Sequence, residues 1–172
     1  MNIVTYATPV SIRPERVWAL GLYKETVSEE NMSRSKECIL QLLTEDHTSV
    51  IGLLGGTSGR DVDKEAECSK LGLEWQELNE DGTKDSTVYP KVLPGCRTYL
   101  HLTLQGDFID AGCHLIAPYC KVERIWTSFS EEDEDDEPLT EEESTLHLTT
   151  GRLRDLGLIT KQGRAVLPEA ED

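Results

Sequence analysis

Asn2 to Thr26, NIVTYATPVSIRPERVWALGLYKET, reads as two strands joined by a proline-bearing turn. The first strand runs from Ile3 to Thr8, with β-branched and hydroxyl residues set among apolar ones. The second, Val17 to Leu22, is a short and nearly continuous apolar run, which suits a strand buried on both faces. Pro9 and Pro14 punctuate the strand ends, where a missing backbone donor does least harm. Lys24 and Thr26 then leave the sheet edge together, a cation beside a hydroxyl. Such a hairpin can hold a flat ligand against backbone N–H groups and set a phosphate by Lys24 and Thr26. It also has the make-up of an ordinary hydroxyl-rich strand pair.

The remaining composition bounds the class. At 172 residues the chain is one domain, or one with an appendage, and can bury a real core. With 37% hydrophobic and 6% aromatic residues, it suits a modest α+β domain carrying a solvated segment. No apolar run approaches a membrane span, and the start lacks the basic-then-apolar pattern of a signal peptide. An import peptide lost upstream stays open, since strand-like sequence begins almost at once. The formal charge is −16, but residues 130–143 (SEEDEDDEPLTEEE) carry ten acidic groups and no basic one, so the remainder is only −6. That run repels itself and has little to bury, so it reads as a mobile insertion, either solubilising or docking a basic protein. Nucleic-acid backbone is an unsuitable partner for such a chain. Five cysteines with no Cys-x-x-Cys argue against a disulfide framework or zinc knuckle and fit a reducing, cytoplasmic setting. Cys113, His114 and Cys120 as metal ligands are weighed against buried strand thiols, and no metal is expected.

Further along, Ser28 is expected to cap a short helix ending near Ser35. Cys38 to Leu43 is a compact apolar run, a buried strand with a helix as the alternative. Asp46 would cap a helix from His47, a surface residue, to Leu54, ended by Gly55-Gly56. Thr57-Ser58-Gly59 forms a hydroxyl-bearing loop, and Asp61 caps a helix running to Lys70. Arg60 and Lys64, one turn apart at that helix start, would make an anion site, or else an Arg–Asp surface pair. Trp75 packs, and Asn79 to Ser86 is a polar loop. Cys96 to Leu104 alternates cleanly, with Leu100, Leu102 and Leu104 inward and Tyr99, His101 and Thr103 outward. After a connection over Gln105 to Ala111, strands are expected at His114–Ala117 and Cys120–Trp126. Thr145 to Leu158 reads as a helix, and Lys161 to Asp172 as a tail that frays or lies on a partner subunit.

Taken in order, these pieces resemble the flavin reductase-like family, the FMN-binding split barrels. The resemblance runs from about Asn2 to Ile125, with an echo in Leu153 to Leu158. Asn2 to Ser11 is similar to the family's first flavin-contacting strand, Tyr23-Lys24-Glu25-Thr26 to its phosphate-side turn, and Ser58 to Lys64 to its later phosphate motif. Gly112-Cys113-His114 stands where many members have Gly-Asp-His. The resemblance implies a mainly β fold with short helices: a six-stranded antiparallel Greek-key split barrel over residues 1–129, interrupted by 130–143 and completed by 144–172. It also implies a homodimer with FMN at the subunit interface. No dinucleotide fingerprint or P-loop occurs, which suits a mononucleotide held by strand and loop donors.

On that reading Lys24, Thr26, Thr57, Ser58, Gly59, Arg60 and Lys64 meet the phosphate. Thr5, Thr8, Val10 and Ser11 line the ring and its side chain, and Tyr23 belongs to the phosphate-side turn. His114 would orient a nicotinamide, or merely satisfy a strand edge. The leading expectation is an oxidoreductase passing electrons from NAD(P)H to flavin. The rivals are a flavin-binding electron carrier without NAD(P)H activity and a cofactor-free interaction barrel.

Overall fold

A computed structural model describes residues 1–78, 89–127 and 148–167. The acidic run 130–143 and the loop expected at 79–86 lie outside the described residues. Six antiparallel strands dominate: β1 (Tyr6–Ser11), β2 (Val17–Tyr23), β3 (Glu37–Leu42), β4 (Thr98–Leu104), β5 (Ile109–Ala111) and β6 (His114–Thr127). The helices are short: α1 (Val27–Ser35), α2 (Ile51–Gly56), α3 (Lys64–Lys70) and α4 (Thr150–Asp155), with a 3-10 turn over Glu45–Val50.

The sheet order is β1-β2-β6-β4-β3, with β5 also pairing β6. β3, β4 and β6 are spatial neighbours in chain order, while β2, which precedes them, lies beside β6. That is a Greek key. β1 and β3 are not paired to each other, so the barrel is open. The expected pair of strands after Gly112 is one strand of 14 residues. Pro118 sits inside it without breaking it, because Trp18 and Leu20 of β2 face Cys120 and Ala117, a bulge on the β6 side. On the other edge the partner changes at the same place, from β5 (Ile109 opposite Ile116) to β4 (Leu104 opposite Cys120). A residue without an N–H fits where neither ladder is regular.

β1 begins at Tyr6 rather than Ile3 and continues through Pro9. Pro9 is tolerated because β1 is an edge strand, and the register shifts between Pro9 and Ser11. Ile3 and Val4 instead leave the ladder and pack on the core. One core cluster joins Leu20, Leu22, Met32, Leu100, Leu102, Leu104, Ala117 and Cys120. A second lies on the other side of β4, around Val50, Leu54, Cys68, Val92, Leu93, Cys96 and Tyr99. Tyr99, expected to face outward, is therefore buried; its hydroxyl donates to the Leu93 carbonyl at 2.7 Å.

Three other expectations are corrected by capping and burial. Thr26, not Ser28, caps α1, its oxygen accepting from the Glu29 N–H at 3.2 Å. Asp63, not Asp61, caps α3, accepting from the Ala66 N–H at 3.1 Å. His47 is only 1% exposed, not a surface residue. Its Nδ1 accepts the Thr44 N–H at 3.1 Å, which leaves Nε2–H to donate to the Pro94 carbonyl at 2.9 Å.

The C-terminal segment returns to the domain as far as it is described. Ile159 is buried and bridges to Ala165, and the Tyr6 hydroxyl donates to the Gln162 carbonyl at 3.2 Å. Gly163 is buried at φ 80°, and a Cβ there would lie 2.9 Å from Thr5 Oγ1. Gly163→Ala is therefore expected to cost about 1–2 kcal/mol from the left-handed backbone alone. Thermal unfolding should show a Tm lower by roughly 2–8 °C. An unchanged Tm would mean that the segment adds nothing to stability.

Candidate functional site

The end of β2 turns sharply into α1. Glu25 takes the turn at φ 62°, and Thr26 both caps the helix and donates its hydroxyl proton to the Tyr23 carbonyl at 2.9 Å. The segment after α2 folds against this turn. Arg60 Nη1 donates to the Glu25 carbonyl at 3.0 Å, and Arg60 Nη2 pairs with the Glu30 carboxylate. A Cβ on Gly59 would meet only Val27, at 3.9 Å. Two stretches 35 residues apart thus touch at one place. Ser58 Oγ accepts the Arg60 N–H at 3.2 Å, so its own proton stays available.

The predicted residues do not all come together. Lys24, Thr26, Ser58, Gly59 and Arg60 belong to the meeting turns. Thr57 is beside them, but its hydroxyl donates to the Leu53 carbonyl at 2.6 Å. Lys64 points inward instead: it is 6% exposed, and Nζ donates to the Leu54 carbonyl at 2.6 Å and the Met1 carbonyl at 3.3 Å. Burial pushes its pKa below the ordinary lysine range. Because α3 starts at Lys64, Arg60 lies before the helix and the two cations do not share a helical face.

Along β1, Thr8 and Val10 are exposed, Val10 at 60%. Ser11 Oγ donates to the Arg13 carbonyl at 3.0 Å. Thr5 Oγ1 is buried and finds no hydrogen-bond partner among the described residues. Tyr23 stands opposite His114 across the β2–β6 ladder, ring centroids 4.0 Å apart. The Tyr6 ring meets the same imidazole edge-on at 5.1 Å, and Arg164 lies 5.7 Å from the Tyr23 centroid. Nothing in the sequence signals Tyr6 or Arg164, since one sits in an ordinary strand and the other in an apparent tail.

Lys24 Nζ lies 2.6 Å from the carboxylate of Asp110, in β5. That ammonium, together with the Gly112 N–H, holds the Asp110 carboxyl below the usual range. A separate cavity of about 730 Å³ runs between the N-terminal segment and β3, inside the open barrel. It borders Thr5 but neither of the meeting turns, and Leu20, Leu22, Leu54 and Leu93 extend the core into its walls. Among the described residues no three His, Cys, Asp or Glu side chains group as metal ligands, and no helix is long and apolar enough to cross a membrane.

A family model described as flavin reductase like domain matches residues 2–156. This chain belongs to that family. An FMN-binding protein from Thermus thermophilus, solved with bound 1-cyclohex-2-enone, superposes with a TM-score of 0.56 at 15% identity, over 94% of this chain and 66% of its own. A flavoredoxin from Methanosarcina acetivorans gives 0.56 at 10% identity, over 72% and 59%. An NADH:FAD oxidoreductase from Streptomyces globisporus C-1027 gives 0.53 at 13%, over 70% and 63%. The chain thus spans no more than about two thirds of these structures, and at such identities the likeness is one of fold. No curated protein sequence matches.

For this flavin reductase like domain, the Lys24–Asp110 pair makes a direct test of the turn's electrostatics. Asp110 is depressed in the folded chain, so its contribution is present above the unfolded value of 3.8 and is lost as pH falls through the lower, folded one. Lys24→Met should move the Asp110 titration up toward 3.8, read by carboxyl NMR. An Asp110 midpoint indifferent to Lys24 would remove the ion pair from solution.

Proposed function

We propose that this chain binds FMN and acts as an oxidoreductase that passes electrons from NADH or NADPH to the flavin. Family membership supports the flavin. The observation that carries the mononucleotide form is the contact of Arg60 with the Glu25 carbonyl, which joins the two cationic turns. Residues able to meet a phosphate there are Lys24, Arg60 and the Ser58 hydroxyl. Thr26 and Thr57 have already given their protons to backbone carbonyls, and Lys64 is turned into the core. The donor set suits a dianion, with two carboxylates opposed to it: Glu30 occupies Arg60 and Asp110 occupies Lys24.

Magnitude decides that competition. An exposed ion pair contributes about 0–1 kcal/mol, whereas a charge-assisted bond to a phosphate contributes ~1.5–3 kcal/mol. Arg60 would therefore exchange Glu30 for the ligand. The exposed side chains of Thr8 and Val10 on edge strand β1 offer a wall for a flat ring. Bound flavin supplies the two-electron chemistry. The protein's part is to neutralise the phosphate, hold the ring on the edge strand and keep His114, locked between Tyr6 and Tyr23, beside the place where a nicotinamide would approach.

Arg60→Ala should weaken FMN relative to riboflavin by roughly ten- to a hundredfold, the worth of one charge-assisted bond. Glu30→Gln should shift it the opposite way, since it frees Arg60 and removes a repelling charge. Flavin fluorescence titrations read both, and equal losses for the two ligands would take Arg60 out of a phosphate site. Oxidation of NADH or NADPH by the purified chain with added FMN tests the activity. Tight flavin binding without that turnover would favour the electron carrier, and no flavin binding the interaction barrel.

A further inference from the structure

The β5–β6 turn carries a thiol and an imidazole in contact. Cys113 Sγ lies 3.1 Å from His114 Nδ1, and Cys113 is exposed. Both are held in place. The Cys113 carbonyl accepts the Lys24 N–H at 3.2 Å, and the Gly112 N–H, at φ 75°, is anchored on Asp110 at 3.0 Å. The His114 ring is packed by Tyr23 on one side and Tyr6 on another, so Nδ1 cannot swing away from the sulfur without breaking two ring contacts. Its other nitrogen, Nε2, is buried and has no hydrogen-bond partner among the described residues, which leaves Nδ1 beside the Cys113 sulfur as the ring's hydrogen-bonding edge.

We propose that Cys113 is a reactive thiol, with His114 as its base, and is the site at which this chain is modified by hydrogen peroxide and other small electrophiles. A nucleophile and a base within hydrogen-bond reach is the arrangement that activates a side chain for attack. The Sγ proton passes to Nδ1, and the sulfur electron pair forms an S–O bond as the peroxide O–O bond breaks. The departing hydroxide takes the proton from Nδ1 and leaves as water. Sulfur is oxidised by two electrons to the sulfenic acid and the peroxide is reduced. A small thiol then condenses with it, forming an S–S bond and releasing the sulfenic oxygen as a second water.

The other four cysteines make the contrast. Cys68, Cys96 and Cys120 are buried and Cys38 is part-buried. Burial pushes Cys38 and Cys96 up to about 12, Cys120 up to about 11, and raises Cys68 as well, all in the direction of an inert thiol. This inference needs no bound flavin and stands apart from the function proposed above.

The test uses the native full chain with iodoacetamide at neutral pH, and peptide mapping of the alkylated cysteines. The reference is a peptide covering residues 108–118, which has the same thiol and imidazole without the fold. Cys113 in the protein should react roughly tenfold faster than in the peptide, while the other four stay unmodified. His114→Gln should bring it down to the peptide rate with the near-ultraviolet circular dichroism unchanged. If that variant unfolds, the ratio of wild type to peptide still decides. Peroxide followed by dimedone should place a single adduct on Cys113. A folded-state rate at or below the peptide's, or no dimedone adduct on Cys113, overturns the proposal.

Discussion

One strand has to serve both halves of this sheet. β6 pairs β2 along its first half and β4 along its second, so every other strand is placed relative to it. The bulge at Pro118 lets the ribbon change partners without a chain break. Its burial is one-sided at the key points: Ala117 and Cys120 are fully buried, next to Leu20, Leu102 and Leu104 in a single cluster. Because Tyr23 is held opposite His114, the end of β2 is fixed, and with it the turn that carries Lys24 and Thr26. The site's geometry is therefore inherited from a ladder several residues away.

The second turn is brought in by different means. Lys64 ties the α2 end and the N-terminal segment together from inside, through the Leu54 and Met1 carbonyls. Breaking a buried charged group's partners is costly, whereas the surface contacts of Arg60 are cheap to rearrange. One lysine thus gives stability to the loop while a neighbouring arginine stays free to change partners. Sequence spacing suggested that both would grip an anion; the structure turns Lys64 into the core and leaves Arg60 at the surface beside Glu30.

How far the sequence was legible follows from this division. β2, β4 and α1 could be read because apolar runs, alternation and a nearby cap are local signals. The six antiparallel strands followed from the family that the ordered motifs resemble, while the gap between β1 and β3 showed only in the structure. Three things were hidden because they depend on distant partners. His47 looked exposed until Pro94, 47 residues away, supplied an acceptor. Asp61 looked like the cap of the helix before Lys70, but the chain first turns back through Arg60 to Glu25, and Asp63 is the residue that caps. The segment after Ile159 has no periodicity, yet Gly163 fits against Thr5, a match of shape that no local pattern announces.

The account rests on two distant turns forming one anion site on a frame set by β6. Backbone amide shifts of the isotope-labelled chain, followed while FMN is added, report on both turns at once. The account requires residues 24–27 and 58–60 to shift together with a single binding curve. Shifts confined to one turn, or appearing instead around the cavity beside β3, would contradict it.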